Sequence, residues 1–247
     1  MTAAITRKSE ILPQQGAAGE LTRVMLDAEG AGGRLVRRLV DVAADAACAG
    51  TAGPGGELWF VIAGSGELEA NGSQVLRVGP QTGLHLAGGT RYRLSPAGRE
   101  PVQLDVVGLP GLFNAGEGFG GEPRVVELAD CAVETTGDRR FRVLFGPGRG
   151  GAAATQFVGE IPPGRAPEHS HPYDEVVLVL AGQGVVHLGS ANQGTAEQPL
   201  AAGSCVHLPP GQPHCLENTG RETLVVLGVF HPGGSPAQKE QAQKEPR

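Results

Sequence analysis

The stretch that decides the fold spans residues 164–182 and reads GRAPEHSHPYDEVVLVLAG. It begins among glycine and proline residues that favour turns, and it ends in the apolar run Val176–Ala181 followed by Gly182. An apolar run of this length between turn signals is typical of a buried β-strand. His169 and His171 stand two residues apart before that strand, so an extended chain directs both imidazoles to one side.

A second stretch supplies the rest of a metal-binding pattern. Residues 203–218 read GSCVHLPPGQPHCLEN and place His214 directly after a tight turn, at the start of another strand. In the first stretch, a turn or bulge at Pro172–Tyr173 would return Glu175 to the side of the two histidines. Imidazoles and a carboxylate on one face suit Fe, Mn, Ni, Cu or Zn. The sequence therefore predicts one divalent transition metal, whose identity the ligand types do not select.

The two stretches resemble the two motifs of the cupin superfamily. The first motif is Gly, a spacer, His-x-His, three residues, Glu, six residues and Gly; the second is Gly, five residues, Pro-x-Gly, two residues, His, three residues and Asn. The spacer here has four residues where five is commoner. The resemblance implies a small β-barrel in which all four metal ligands face the interior. The ligands it implies are His169, His171, Glu175 and His214.

The chain also repeats itself. The segments that begin at Arg23, Glu57 and His85 are echoed at Arg142, Glu175 and His207, with offsets of 119, 118 and 122 residues. An order-preserving match at a nearly constant offset indicates two copies of one domain. Short apolar runs separated by turn signals fill both copies, which favours strands throughout.

We therefore predict an all-β protein made of two tandem cupin barrels of the double-stranded β-helix, jelly-roll-like type. The predicted boundaries are 1–110 for the N-terminal barrel, 111–125 for a glycine-rich linker, 126–235 for the metal-binding C-terminal barrel and 236–247 for a disordered tail. The repeat places Thr51, Gly53 and Tyr92 where the second copy has its three histidines. Only Glu57 survives at a ligand position, so the first barrel is predicted to be a degenerate one without metal.

Composition excludes several functions. The net charge is −6 and no stripe of Lys or Arg is present, which argues against nucleic-acid binding. The first residues lack the apolar core of a signal peptide, and no apolar run approaches the roughly 20 residues of a membrane span. We predict a cytoplasmic protein without membrane or nucleic-acid partners. Because cupins often dimerise, a homodimer is one option for its assembly.

Four further residues are candidates for substrate binding. Tyr173 would face the pocket mouth or be a solvated loop residue, and Arg165 would meet an anionic substrate or face solvent. His207 would orient a ligand or substrate, although its echo at His85 favours a structural role. Asn218 ends the second motif. Each is a prediction about position that the structure can address.

A site with three histidines and one glutamate leaves open positions on a six-coordinate metal, which favours an enzyme over a structural metal site. The leading prediction is an oxygen-dependent dioxygenase or oxidase of a small organic substrate, in which Glu175 doubles as a base. The first alternative is non-oxidative chemistry, such as isomerisation, cyclisation, decarboxylation or hydrolysis, with the metal as a Lewis acid. The second alternative is a non-catalytic cupin that binds a small molecule.

Overall fold

The computed structural model of the chain describes residues 3–30, 32, 35–72, 74–109, 122–147, 149, 154–190 and 194–236. These residues form β-strands joined by turns, with two short 3-10 helices at Lys8–Glu10 and Leu128–Asp130. Within them, no helix is long and apolar enough to cross a membrane. The prediction of an all-β protein is confirmed.

The strands are numbered in chain order. The first twelve are β1 (Ala4–Arg7), β2 (Gln14–Gln15), β3 (Leu21–Leu26), β4 (Val36–Val42), β5 (Cys48–Thr51), β6 (Glu57–Ala63), β7 (Gly66–Ala70), β8 (Gln74–Val78), β9 (Thr82–Leu86), β10 (Arg91–Pro96), β11 (Val102–Gly108) and β12 (Arg124–Glu127). The others are β13 (Glu134–Thr136), β14 (Arg139–Phe145), β15 (Thr155–Ile161), β16 (Gly164–Arg165), β17 (Asp174–Ala181), β18 (Gln183–Ser190), β19 (Gly194–Ala201), β20 (Ser204–Leu208), β21 (His214–Asn218) and β22 (Leu224–His231).

Chain contacts divide the protein into two compact units. The N-terminal unit comprises Lys8–Cys131. Its strands form a seven-stranded sheet in the order β12-β9-β6-β11-β4-β3-β2 and a four-stranded sheet in the order β5-β10-β7-β8. The core lies between these sheets and includes Trp59, Leu68, Leu94 and Leu104. Because successive strand residues point to opposite sides, one set of side chains from each sheet fills this core.

The C-terminal unit comprises Met1–Arg7 and Ala132–Arg247. Its two antiparallel sheets repeat the same plan, with the orders β1-β20-β17-β22-β15-β14-β13 and β16-β21-β18-β19. Val177, Val206 and Val226 from the larger sheet pack with Val186 and Leu200 from the smaller sheet. The predicted architecture of two barrels, each closed by two packed sheets, is confirmed.

The two units exchange their first strands. β1, at the start of the chain, pairs with β20 of the C-terminal unit, with Ala4 opposite His207. β12, at the start of the second repeat, pairs with β9 of the N-terminal unit, with Arg124 opposite His85. The boundaries predicted from sequence did not include this exchange, because they assumed that each barrel is built from one continuous segment.

The predicted linker 111–125 and tail 236–247 fall largely outside the described residues, which stop at Leu109 and Pro236 and resume at Glu122. The described end of the linker, from Arg124, is the start of β12 rather than part of a connection. The division of the chain at residues 110 and 126 otherwise stays a prediction.

Candidate metal centre

Strand β17 positions the predicted carboxylate. The chain bends at Pro172 and Tyr173 and enters β17 at Asp174. Glu175 then alternates in phase with Val177 and Val179, which belong to the core between the sheets. Glu175 therefore points into the barrel, and it is only 4% exposed. The bend at Pro172 and Tyr173 brings Glu175 to the side of the histidines, as the sequence predicted.

Backbone hydrogen bonds hold the two motif stretches together. His169 and His214 form an isolated antiparallel bridge, in which each backbone N–H donates to the other residue's carbonyl, at 3.0 and 2.8 Å. The N–H of Gly211 donates to the carbonyl of His171 at 2.7 Å. Gly211 has a φ of 77°, a conformation that glycine adopts without steric cost. The three histidines are thus fixed relative to one another by main-chain contacts.

Two backbone carbonyls select the ring tautomers of His169 and His214. Nδ1 of His169 lies 3.0 Å from the carbonyl oxygen of Pro167, and Nδ1 of His214 lies 2.8 Å from that of Gln212. A carbonyl oxygen only accepts, so each Nδ1 carries the proton and donates it. Nε2 of each ring is left with its lone pair, which is the form that binds a metal ion.

The ligand atoms converge. One ring nitrogen from each of His169, His171 and His214 lies within 4.8 Å of the other two. Oε2 of Glu175 lies 3.1 Å from Nε2 of His171 and 3.4 Å from Nε2 of His214. Lone pairs gathered this closely repel one another unless a cation or proton lies among them. The residues therefore fit a divalent transition metal, and we infer that this set of three nitrogens and one oxygen would hold it.

Aromatic side chains support one ligand ring. Tyr173 stacks on His171, with ring centroids 4.9 Å apart and planes 5° from parallel. Phe230 contacts both rings, at 5.6 Å from His171 and 5.0 Å from Tyr173. Burial and the neighbouring carboxylate of Glu175 raise the pKa of Tyr173 to about 12, so its hydroxyl stays protonated at neutral pH. Tyr173 thus lies beside the site, in contact with a ligand residue.

A small cavity of about 60 Å³ opens beside the ligands. His169, Glu175 and His214 line one part of it. The remaining walls are mainly apolar, with a few polar residues from β13–β15, and the wall residues are Phe141, Phe157, Ile161, Val177, Leu208, Leu216, Val226, Pro236, Thr136, Arg139, Arg140, Gly159 and Glu160. A metal at this site would therefore be accessible to a small, partly apolar molecule.

The structure places His207 away from this cavity. His207 alternates in β20 with Val206 and Leu208, which belong to the core, so its ring points to the opposite side of the sheet. There its Nε2 lies 2.9 Å from Oδ1 of Asp174, and both side chains are 1% exposed. Asp174 likewise points opposite to Glu175. His207 is therefore buried on the side of the sheet opposite the cavity. This position agrees with the structural role that the equivalent residue His85 of the first repeat favoured.

Asn218 is also placed in a structural role. Its amide nitrogen donates to the carbonyls of Ile161 and Glu222, each at 2.8 Å, and its oxygen accepts from the N–H of Gly220 at 2.9 Å. These bonds close the turn between β21 and β22, tie it to the end of β15 and use both N–H donors of the amide. This corrects the prediction that Asn218 binds substrate.

Arg165 does not line the cavity. It lies in β16 and is exposed, and its Nε donates to the sulfur of Cys215 at 3.3 Å. Cys215 alternates with His214 and Leu216, which line the cavity, so the pair lies on the other side of the sheet. The structure thus places this predicted anion-binding residue outside the pocket.

Gln212 is a supporting residue that the sequence analysis missed. Its amide nitrogen donates to the carbonyls of Gly189 and Pro213, at 2.6 and 3.0 Å. The N–H of Gly189 in turn donates to the carbonyl of Pro213 at 2.8 Å. The turn that delivers His214 is therefore tied to the end of β18. The only sequence signal was its place inside the second motif.

The corresponding position in the N-terminal unit is occupied differently. Oε1 of Glu57 accepts from Nη2 of Arg38 at 2.7 Å, and Oε2 accepts from Nε1 of Trp59 at 2.8 Å. Tyr92 packs edge-on against Trp59, with centroids 4.7 Å apart. The guanidinium therefore neutralises the one carboxylate that the repeat retains, and the indole donates a hydrogen bond to its other oxygen. The absence of metal from the first barrel stays a prediction.

Comparison with known proteins finds a family match within the C-terminal unit. Residues 157–230, which contain both motifs, match the family model of the cupin domain. A segment of 73 residues is 36% identical to auxin-binding protein 1 of Arabidopsis thaliana, a match that spans 28% of this chain and 37% of that protein. The C-terminal barrel is therefore similar to cupin domains.

Solved structures show the two-barrel form of that fold. A mutant of oxalate decarboxylase from Bacillus subtilis superposes with a TM-score of 0.76 at 13% identity, covering 95% of this chain and 78% of that one. Protein Ylba from E. coli gives 0.76 at 14% identity, covering 93% and 90%. Oxalate decarboxylase from Lactobacillus farciminis, solved as a formate complex, gives 0.76 at 14% identity, covering 93% and 86%. The chain therefore shares the fold of these solved structures.

Proposed function

We propose that this chain is a metal-dependent bicupin enzyme that binds one divalent transition metal through His169, His171, His214 and Glu175 and converts a small organic molecule in the C-terminal barrel. The observation that carries the proposal is the convergence of three imidazole nitrogens within 4.8 Å, with Glu175 at 3.1 Å from one of them, at the wall of a cavity. A purely structural metal would not need such an opening.

We infer that the reaction is non-oxidative. Several solved structures of the same fold are oxalate decarboxylases, and the Bacillus subtilis enzyme has Mn(II) centres. A metal bound here would act as a Lewis acid that stabilises negative charge developing on a substrate oxygen. The leading candidate is therefore cleavage or rearrangement of a small organic acid. The oxygen-dependent reaction predicted from sequence would use the same ligands and stays an alternative.

Three groups of protein residues would have separate roles around that site. The carbonyls of Pro167 and Gln212 fix the tautomers of two ligand rings, so the lone pairs are oriented before binding. Apolar walls such as Phe157 and Leu208 exclude water and strengthen every charge interaction in the cavity. Glu175 lines the cavity and is the candidate base, because it is the one carboxylate among the ligands.

Metal analysis tests the proposal. Freshly purified protein should contain a single transition metal ion per chain, and His169→Ala should lose it because one of the three imidazole ligands is gone. The matched control is Glu57→Gln, which changes the equivalent carboxylate in the first barrel and should leave the metal content unaltered. Circular dichroism should show the same strand content in all three proteins. Unchanged metal in His169→Ala would refute the site.

Oxygen dependence separates the two reactions. Metal-loaded protein is incubated with small organic acids in air and under strict anaerobic conditions. Turnover that persists without oxygen supports non-oxidative chemistry, whereas turnover that requires oxygen supports the dioxygenase or oxidase. A metal-loaded protein that binds such acids but turns over none of them in either condition would instead indicate the non-catalytic binding cupin.

A further inference from the structure

Strand β14 presents a run of arginines to two different environments. Phe141 and Val143 belong to an apolar cluster with Phe157 and Phe230 at the cavity side of the sheet. Because residues two apart in a strand share a face, Arg139 lies on the same face as Phe141 and Val143. Arg140 and Arg142 lie on the opposite face. Arg139 is thus a charged residue beside an apolar cluster, and such a placement costs free energy unless the charge is paired.

The arginines on the opposite face are neutralised. Arg140 donates to Oε2 of Glu160 at 2.7 Å, and Arg142 donates to Oε1 of the same residue at 3.0 Å. Both carboxylate oxygens of Glu160 are therefore engaged. Arg140 and Glu160 also border the cavity, but the carboxylate of Glu160 is neutralised there by its two arginines.

Arg139 is different. Its Nε is buried, and no hydrogen-bond partner for that atom exists among the described residues. The described part of the chain also contains no carboxylate that forms an ion pair with it. Yet Arg139 lines the same small cavity as His169, Glu175 and His214. Leaving a buried donor unsatisfied is costly, so a ligand that accepts its hydrogen bond would be favoured.

We propose that Arg139 is a substrate-binding residue that receives a carboxylate. A planar guanidinium binds a carboxylate through two parallel hydrogen bonds, which neither a neutral amide nor an alcohol reproduces. The substrate class is then a small organic acid with a carboxylate at the Arg139 end, an apolar stem along Phe141 and Phe157, and an oxygen directed to the metal ligands. Only the oxygen directed to the metal ligands rests on the proposed function; the carboxylate and the apolar stem do not.

Thr136 complements this arrangement. It stands opposite Arg139 in the pairing of β13 with β14 and also lines the cavity. Its hydroxyl is a second donor that a carboxylate at Arg139 would meet. Arg165, the arginine that the sequence suggested for anion binding, lies outside the cavity, so Arg139 takes over that predicted role.

The test compares two probes of equal size, propanoate and propanamide, on metal-free protein at pH 8. Dissociation constants are measured by ligand-observed NMR titration for the wild type, Arg139→Gln, Arg139→Lys and Arg142→Gln. Arg142→Gln is the matched control, since it removes the same charge from the opposite face of the same strand. Circular dichroism and metal content after reloading verify that each variant is folded.

We expect the wild type and Arg142→Gln to bind propanoate more tightly than propanamide. Arg139→Gln should weaken propanoate binding at least about tenfold, the scale of a charge-assisted bidentate contact, and should leave propanamide binding unchanged. Arg139→Lys should recover only part of the loss, because an ammonium lacks the planar fork. Equal propanoate binding in Arg139→Gln and wild type, or no binding of propanoate by wild type, would overturn the proposal.

Metal-free conditions keep this inference separable from the proposed function. If His169→Ala retains its metal, the metal site fails while the propanoate comparison still decides the role of Arg139. If Arg139→Gln binds metal normally but shows no loss of propanoate, the anion site fails while the metal site stands.

Discussion

At the scale of single residues, the stacking of Tyr173 on His171 predicts an effect on metal binding. Tyr173→Leu removes an aromatic contact worth about 0.5–1.5 kcal/mol, so the metal affinity should fall about two- to tenfold. Tyr173→Phe keeps the ring and should bind metal like the wild type. Competition against a colorimetric chelator of zinc measures both. A Tyr173→Phe variant as weak as Tyr173→Leu would show that the hydroxyl, and not the stack, is what matters.

The sequence predicted the ligands better than their surroundings. His169, His171, Glu175 and His214 follow from spacing because a strand alternates sides and a turn resets that alternation. The contacts that orient them do not follow from spacing. The tie of Gln212 to Gly189 and the placement of Arg139 depend on strands that meet only in the folded barrel. For Arg165 and His207 the sequence left two roles open, and strand alternation in the folded barrel places His207 on the side of its sheet opposite the cavity.

At the scale of elements, the turn from β21 to β22 depends on Asn218. Asn218→Ala removes two donated bonds and one accepted bond in a residue that is 2% exposed. The free energy of unfolding should fall by about 3 kcal/mol, at about 1 kcal/mol for each bond, as measured by urea denaturation. Glu222→Gln is the control, because only its backbone takes part in the turn.

Propanoate binding distinguishes this structural role of Asn218 from the substrate-binding role that the motif suggested. Folded Asn218→Ala should bind metal and propanoate like the wild type once the unfolded fraction is subtracted. A variant of normal stability that has lost propanoate binding would instead place Asn218 in the pocket.

Strand existence was predictable and strand partnership was not. The run Val176–Ala181 lies within β17, which begins two residues earlier at Asp174. Local composition suffices for such assignments. The pairing of β1 with β20 joins residues about 200 positions apart, since Ala4 lies opposite His207. No local pattern distinguishes that pairing from one inside the first repeat.

At the scale of the whole molecule, the two units share one fold but differ in the surroundings of the equivalent carboxylates Glu57 and Glu175. Both have a seven-stranded and a four-stranded sheet around an apolar core. In the N-terminal unit, the retained carboxylate Glu57 bonds to Arg38 and Trp59, and the indole fills the core. In the C-terminal unit, Val177 stands where the repeat has Trp59, so space remains beside Glu175. The cavity thus depends on a smaller side chain as well as on the histidines.

The stability of the whole chain should also depend on pH through His85. Burial, and to a lesser extent the charge of Arg124, lower the pKa of His85 from 6.5 to about 4. Above pH 6.5 His85 is neutral in both states and has no effect. Below pH 6.5 the unfolded chain binds a proton that the folded chain excludes, so the free energy of unfolding falls, until the loss is complete below about pH 4.

His85→Gln isolates this contribution. At pH 5 the titration of His85 costs about 2 kcal/mol, by linkage between a pKa of 6.5 in the unfolded chain and about 4 in the folded one. The difference in unfolding free energy between pH 7 and pH 5, measured by urea denaturation of metal-free protein, should therefore be about 2 kcal/mol smaller in His85→Gln than in wild type. Arg124→Gln should retain most of the wild-type difference, because burial is the larger cause. Equal differences in wild type and His85→Gln would mean that His85 is protonated in the folded protein as readily as in the unfolded chain.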